Sequence, residues 1–179
     1  MIDETFGERP YFMTAVDSSP SMIEKYRNRL GHLRKLKPNY NYEKCTNINL
    51  VCGTAEDISI FNASVVIVNL TMQFIKPEKR DQFIQKIYNG LNKGGILLLT
   101  EKIIHENEVI LEMHHDFYKK FKIENGYSEL EISRKRDSLE NILIPETLAS
   151  HTKRLKNAGF DTMDVWLKWF NFASMIAIK

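Results

Sequence analysis

The chain has 179 residues, of which 43% are hydrophobic and 27% charged, and its formal net charge is +2. This composition is typical of one globular domain and excludes a disordered or fibrous chain. The small net charge argues against strong binding to a nucleic acid backbone, although a local basic patch could still contact RNA.

Two further features of the composition concern the cell compartment. No run of residues is long and apolar enough to span a membrane, and the first residues lack the basic start of a signal peptide. The two cysteines, Cys45 and Cys52, lack the spacing of a metal site. We therefore expect a reduced, cytoplasmic protein that does not act at a membrane.

The first element in chain order is a short apolar strand that ends in an acid. The strand covers residues 11–16, Asp17 follows it, and Ser19 caps a helix that has Pro20 at its first position and runs to about residue 36. In many nucleotide-binding α/β domains, an acid at such a strand end accepts hydrogen bonds from the two hydroxyls of a ribose. An acid in this place can equally be a helix cap, so the residues alone leave both interpretations open.

Strand and helix patterns then alternate, which predicts an α/β fold with a mostly parallel sheet in a single domain over residues 1–179. A polar loop over residues 37–44 precedes a strand at 48–52. The apolar run at 64–70 is typical of a central strand covered on both faces. A helix begins at Pro77 and ends in the glycine-containing segment 92–95, and a buried strand follows at 96–100.

Two strand ends in this region carry polar residues suited to a ligand. The turn at residues 53–57, which contains Thr54 and Ala55, follows the second strand and would frame an adenine in a nucleotide site. Asn69 ends the central strand and presents an amide at the carboxyl edge of the sheet, where ligands bind in this architecture. Acidic turns and strand-end asparagines are also common without any ligand.

The second half of the chain contains a helical insertion over about residues 104–141. Helices at 106–121 and 128–139 flank a polar turn, in the position of a lid or a dimer arm. A helix at 146–158 follows, and two strands at 164–169 and 170–178 form a pair at the edge of the sheet.

Several residues suggest chemistry that the pattern does not support. His114, His115 and Asp116 are adjacent on a helix and point about 100° apart, so we expect no metal site there. His151 lies on an apolar helix face, which favours a core histidine. Arg136 belongs to a basic run that is a solvated surface unless the insertion folds over a ligand pocket. No residue is identified as a catalytic acid, base or nucleophile.

Several strings of the sequence, taken together, closely resemble the carboxy-S-adenosyl-L-methionine synthase family. They are AVDSSPSMI at 15–23, NLTMQFI at 69–75, KIYNGLNKGGILLLTEK at 86–102, MHHDF at 113–117, NGYSELEISRKR at 125–136 and WFNFASMIAIK at 169–179. The resemblance covers nearly the whole chain from about Tyr11 onward. It implies a Rossmann-like class I methyltransferase fold whose sheet ends in an antiparallel C-terminal pair of strands.

The resemblance implies an activity on small molecules. In this family S-adenosyl-L-methionine reacts with prephenate and yields carboxy-S-adenosyl-L-methionine, phenylpyruvate and water. The proposed route removes a proton from the methyl group next to the sulfonium, and the resulting ylide captures the carbon dioxide that prephenate releases. A partner enzyme then uses the product to carboxymethylate the wobble uridine of certain tRNAs, so tRNA is only an indirect partner.

The resemblance also assigns roles to single residues. Asp17 and Ser18 match the ribose-binding pair, and Thr54 and Ala55 match the adenine-side pair. The family more often has asparagine at position 18 and Asp-Ile at positions 54 and 55. Asn69 matches the strand-end asparagine. Arg136 matches the arginine that holds the added carboxylate of the ligand and that comes from the neighbouring subunit of a homodimer.

The start of the chain departs from the family pattern. The family has an N-terminal helical region, a first strand and a glycine-rich loop before the position of Met1. That strand normally lies in the middle of the sheet, between the strands at 11–16 and 64–70. Each buried backbone group left without a partner costs about 1–3 kcal/mol. We therefore expect residues 1–179 alone to fold poorly and to bind the cofactor weakly.

Two alternative functions stay open at this point. One is an S-adenosyl-L-methionine-dependent methyltransferase that acts on tRNA directly. The other is a protein without catalysis, either a fragment or a dimerisation module, which a glycine loop missing from this chain would favour.

Overall fold

The computed structural model describes residues 11–36, 46–139 and 142–179. Cys45 and the predicted polar loop at 37–44 lie outside these ranges, as does everything before Tyr11. The chain divides into two compact units, Met1–Ile58 and Ser59–Lys179, and each is described by itself. None of the helices in the described ranges is long and apolar enough to cross a membrane.

The first unit contains a two-stranded parallel sheet and one helix. Strand β1 (Tyr11–Asp17) pairs in register with strand β2 (Thr46–Cys52), and helix α1 (Pro20–Leu36) connects them. Ile23 of α1 is buried, whereas the basic residues that can be seen on its other face are exposed. The predicted strand, cap and solvated helix face of this unit are therefore confirmed.

The second unit alternates strands and helices around a mixed sheet. Its elements are β3 (Ala63–Asn69), α2 (Pro77–Gly90), β4 (Leu91–Ile104), α3 (Glu108–Glu124), α4 (Glu129–Leu139), β5 (Glu146–Thr147), α5 (Leu148–Ala158), β6 (Thr162–Trp169) and β7 (Phe172–Ile178). The strand order is β3-β4-β7-β6, with β5 beside the end of β4. Strands β3 and β5 run parallel to β4, and β7 is antiparallel to both β4 and β6. The predicted α/β class and the antiparallel C-terminal pair are confirmed.

One face of this sheet forms the core of the unit. Leu97 and Leu99 of β4 lie opposite Ala177 and Met175 of β7, and all four are buried. Helix α2 contacts both β4 and α5. The other buried apolar residues of the two helices and the segment after α5 are Phe83, Ile84, Ile87, Leu155, Ala158 and Phe160.

Two predicted element ends are wrong by a few residues. Helix α2 ends at Gly90, not at 92–95, because Leu91 is already extended and buried at the start of β4. A side chain at position 90 would place its Cβ only 2.4 Å from the carbonyl oxygen of Ile60, so the chain passes closely there. Helix α5 begins at Leu148, because Thr147 caps it and Glu146 belongs to β5.

The prediction that residues 64–70 form a central strand covered on both faces differs from the structure. In the described residues β3 pairs only with β4 and ends the sheet. Val68 is 5% exposed, whereas Val65 and Ile67 on the other face are 48% and 63% exposed. The continuous apolar run means that both faces of β3 are hydrophobic. Within the second unit, only the face that carries Val68 is buried.

A network of ion pairs and hydrogen bonds connects α2, β5 and α5. The Glu146 carboxylate accepts two hydrogen bonds of 2.8 Å from Arg154 and forms an ion pair of 2.7 Å with Arg80. Arg154 also donates to Asp81 at 2.6 Å. Burial by itself would raise the pKa of Glu146, but the hydrogen bonds from Arg154 and Arg80 outweigh it and lower the pKa. The carboxylate therefore stays charged and joins the three elements.

His151 of α5 is buried beside this network, as its apolar helix face predicts. The side chain is 2% exposed, and neither ring nitrogen has a hydrogen-bond partner. Burial lowers the pKa of His151 to about 4, and the charge of Glu146 opposes this shift only in part. The ring is therefore neutral in the folded protein.

We expect the buried neutral ring of His151 to make stability depend on pH. Its folded pKa lies below the ordinary value of about 6.5, so the unfolded chain binds a proton that the folded chain does not. Stability is then complete above pH 6.5 and falls as the pH drops towards 4, by about 2 kcal/mol at pH 5.

Urea unfolding of the full-length protein at pH 7 and pH 5 measures this effect. His151→Leu removes the titrating ring and should reduce the difference between the two pH values by that amount. The exposed His32→Leu is the matched control and should leave the difference unchanged. Equal pH dependence in wild type and His151→Leu would contradict the expectation.

Candidate functional site

Asp17 lies half-buried at the carboxyl end of β1 in the first unit. Its Oδ1 accepts a hydrogen bond of 2.8 Å from the backbone N–H of Ser19, and the Ser19 hydroxyl accepts one of 3.4 Å from the N–H of Met22. Asp17 Oδ2 makes no hydrogen bond to the described residues. Asp17 therefore helps to cap α1 through one carboxylate oxygen, and this cap does not exclude the predicted ribose-binding role of the other oxygen.

The predicted adenine-side turn lies at the same edge of the first unit. The N–H of Gly53 donates to the carbonyl of Asp17 at 3.1 Å, because β1 and β2 are parallel and in register. The Thr54 hydroxyl donates to Asp57 Oδ2 at 2.6 Å, and its oxygen can still accept a hydrogen bond. The structure thus brings Asp17, Ser18, Thr54 and Ala55 to one edge of the two-stranded sheet.

Asn69 ends β3 in the second unit, opposite Thr100 of β4. Paired residues of neighbouring strands point to the same face, so the exposed Asn69 side chain shares a face with Thr100. The next residue, Leu70, has a positive φ of 51°, and its N–H donates to the carbonyl of Thr100 at 2.7 Å. Such a backbone is strained in a leucine and is often found at functional sites.

The carboxylate of Glu101 fixes the segment that follows Leu70. It is completely buried, and it accepts hydrogen bonds from the N–H groups of Thr71 at 3.0 Å, Met72 at 2.8 Å and Gln73 at 3.2 Å. These groups are the free donors at the start of the short 3-10 helix Met72–Phe74. Burial raises the pKa of Glu101, although the three hydrogen bonds and the nearby charge of Arg80 act against the shift.

Arg80 holds the other end of the same segment. Its guanidinium is 1% exposed and donates to the carbonyls of Ile75 at 2.9 Å and Ile144 at 2.8 Å. The chain from Asn69 to Ile75 therefore lies between a buried anion and a buried cation. This arrangement can position a strand-end asparagine precisely.

Arg136 lies on α4, on the surface of the second unit. Its side chain is 82% exposed, and its charge contact is with the neighbouring Asp137 at 3.6 Å. Helices α3 and α4 are joined by an ion pair of 3.0 Å between Lys119 and Glu129. The structure shows no contact between Arg136 and Asn69, the other predicted residue of this unit.

Three histidines lie just before or within α3, namely His105, His114 and His115. The rings of His105 and His114 lie 4.8 Å apart with their edges facing, whereas His115 is exposed. In the part of the chain that the structure describes, no three histidine, cysteine, aspartate or glutamate side chains are grouped so that they could hold a metal ion.

Comparison with known proteins decides the family. A family model described as a methyltransferase domain matches residues 3–99. A carboxy-S-adenosyl-L-methionine synthase of Desulforapulum autotrophicum is 56% identical over 174 residues, which are 97% of this chain and 67% of that protein. One from Shewanella woodyi is 47% identical over 178 residues, covering 99% of this chain and 70% of that protein.

The chain belongs to the carboxy-S-adenosyl-L-methionine synthase family. The family model places it within the class I methyltransferases, as the sequence motifs imply.

Solved structures agree with this family at the level of the fold. The YcgJ protein of Bacillus subtilis has a TM-score of 0.62 at 11% identity, and the match covers 99% of this chain and 96% of that one. A structure of PigF with SAH has a TM-score of 0.58 at 15% identity and covers 99% of this chain and 45% of that one. The Rossmann-like methyltransferase fold of the synthase family is therefore confirmed.

The sequence did not reveal Glu101 or Arg80 as the residues that hold the segment after Asn69. A signal for Glu101 was present, because it follows the apolar run 96–100 in a strand that is otherwise buried. The burial of Arg80 could not be predicted, because the sequence does not distinguish it from the exposed polar residues in the first turns of α2. The roles of Asp17, Ser18, Thr54, Ala55, Asn69 and Arg136 stay predictions.

We expect Glu101→Gln to destabilise the synthase, because the amide has one acceptor oxygen and presents an NH₂ group to a backbone donor. The loss in the free energy of unfolding should be about 1–3 kcal/mol, measured by urea unfolding of the full-length protein.

Glu131→Gln is the matched control for this change. Glu131 also accepts hydrogen bonds at a helix start, from the N–H of Ser128 at 2.8 Å and its hydroxyl at 2.7 Å, but it is exposed. Its loss should be clearly smaller than that of Glu101→Gln, because water can replace the lost hydrogen bonds. Equal losses in the two variants would show that the burial of Glu101 does not matter.

Proposed function

We propose that this chain forms the greater part of an enzyme that converts S-adenosyl-L-methionine and prephenate into carboxy-S-adenosyl-L-methionine, phenylpyruvate and water. The observation that carries the proposal is the 56% identity over 97% of the chain to a protein named for this product. The enzyme acts in the cytoplasm, and its product is consumed by a carboxymethyltransferase that modifies the wobble uridine of tRNA.

The proposed ligand residues are given for each unit by itself. In the first unit, the free oxygen of Asp17 and the hydroxyl of Ser18 bind the ribose, while Thr54 and Ala55 contact the adenine. In the second unit, Asn69 faces the ligand at the end of β3. Support for the first assignment comes from Asp17, since its Oδ1 caps α1 at 2.8 Å and Oδ2 points to no described partner.

A second copy of the chain completes the proposed site. Arg136 holds the added carboxylate of a ligand bound by the neighbouring subunit, and its 82% exposed side chain is free to reach another molecule. Helix α3 supports this role because it has no buried residue in this chain. Its exposed apolar residues follow helical spacing and are Val109, Ile110, Met113, Phe117 and Phe121.

The reaction is tested by incubating the full-length protein with S-adenosyl-L-methionine labelled in the methyl group and with prephenate. Mass spectrometry should find carboxylated cofactor, and Asp17→Asn should weaken cofactor binding by about tenfold or more because a charged hydrogen-bond acceptor is lost. The exposed Asp161→Asn is the control. Methyl transfer to tRNA would favour the methyltransferase alternative, and absence of cofactor binding would favour the protein without catalysis.

The second copy is tested by the oligomeric state and by mixing. Met113→Lys places a charge in the apolar stripe and should convert dimers into monomers in sedimentation experiments, whereas Glu112→Lys on the neighbouring helix surface should not.

A mixture of Asp17→Asn and Arg136→Met chains should recover about a quarter of wild-type activity, since only mixed two-fold dimers contain one intact composite site. If the mixture stays as inactive as its parts, Arg136 does not act across a dimer.

A further inference from the structure

A group of cations lies where the end of β4 meets α3 in the second unit. Lys102 of β4 stands opposite Phe172 of β7 in the sheet, and the Phe172 ring is 5.3 Å from the ring of Tyr118 on α3. The ammonium of Lys122 lies 4.1 Å from the centre of the same Tyr118 ring. Lys102 and Lys122 lie beside these two rings, and together with His115, which is close enough to feel the charge of Lys102, they are called the basic site below.

The positive charge of the basic site is not neutralised within the described residues. Lys102 is half-buried, and no carboxylate or hydrogen-bond acceptor among those residues contacts its ammonium. Lys119 and Lys120 of α3 do have counter-ions. Lys119 forms an ion pair of 3.0 Å with Glu129, and Lys120 forms one of 4.0 Å with Glu124. Lys102 is thus left without a carboxylate partner among the described residues, whereas Lys119 and Lys120 nearby are paired.

The cations also repel one another. Burial, followed by the charge of Lys122, lowers the pKa of Lys102. Burial and the charge of Lys102 likewise lower the pKa of His115, while the exposed Asp116 acts in the opposite direction. A half-buried ammonium beside another cation and without a counter-ion is unfavourable, and a bound anion would relieve both the repulsion between Lys102 and Lys122 and the loss of hydration.

The basic site lies on the same sheet face as the candidate ligand residue of this unit. Asn69 and Thr100 are paired, and Lys102 is two residues further along β4, so its side chain points to the same face about 7 Å beyond Thr100. The rings of Tyr118 and Phe172 add an apolar wall beside the cations. An anion with an unsaturated ring would match both properties.

We propose that Lys102, assisted by Lys122 and His115, binds a carboxylate of the second substrate, prephenate. This inference rests on the proposed function, because it assigns the co-substrate of that same reaction to a place in the fold. Prephenate is a dianion with a six-membered ring, so one carboxylate pairs with the Lys102 ammonium while the ring lies against Tyr118 and Phe172. Arg136 remains the residue for the carboxylate of the product.

The test is a binding experiment that does not require turnover. Calorimetric titration of prephenate into the full-length protein saturated with S-adenosylhomocysteine measures affinity in a complex that lacks the reactive methyl group. Lys102→Met keeps the length of the side chain and removes its charge, so the dissociation constant should rise by about tenfold or more. Lys102→Arg should retain most of the affinity, and the exposed Lys120→Met is the matched control and should change the constant by less than about twofold.

A readout of stability separates binding from a structural role. Because Lys102 has no partner in the free protein, Lys102→Met should melt at the same temperature as wild type or higher, and a lysine that holds the fold together would lower it. Two results would overturn the inference. One is that the wild-type protein does not bind prephenate in this complex, and the other is that Lys102→Met binds it as tightly as wild type.

The two proposals fail separately. Binding that depends on Lys102 without any carboxylated cofactor in the reaction mixture would support the basic site and reject the synthase activity. Carboxylated cofactor together with unchanged prephenate affinity in Lys102→Met would support the activity and reject the basic site.

Discussion

The buried carboxylate of Glu101 is the interaction on which the second unit depends. It receives three backbone N–H groups from the start of the 3-10 helix, and Arg80 binds the carbonyl end of the same segment. Removing two charges from water is costly unless their hydrogen bonds are satisfied, and here the backbone supplies those bonds. The strained Leu70 can persist because the residues after it are fixed so firmly.

Arg80 also connects the segment after β3 to a second group of charged residues on β5 and α5. Arg80 forms an ion pair with Glu146, and Glu146 accepts hydrogen bonds from the two terminal guanidinium nitrogens of Arg154 on α5. The segment after β3, helix α2 and helix α5 are therefore parts of one polar network that runs beside the apolar core. Substituting one of these residues by a neutral one would leave the charge of its partner buried without compensation. Single substitutions in such networks are therefore strongly destabilising.

Most elements of the fold could be predicted from the sequence, because apolar spacing and capping residues are local signals. The strand before Asp17 and the cap at Ser19 are examples. Glu101 could not be assigned a role, because its partners lie about thirty residues earlier and no local pattern records them. The predicted end of α2 is wrong because Leu91 is buried as the start of β4, and such burial depends on tertiary packing that no local pattern shows. The site roles came from the resemblance of motifs, and the structure adds the surroundings in which those residues lie.

Strand β3 has a consequence for handling the protein. Within the described residues it pairs on one side only, and its sequence, Ala-Ser-Val-Val-Ile-Val-Asn, contains no charge and no proline. Natural edge strands usually carry such residues because they prevent strand-to-strand aggregation. With Val65 and Ile67 exposed, the described segment has the composition of a strand that pairs readily with another chain. A lysine at position 65 or 67 would act as a gatekeeper and should improve the yield of dispersed protein.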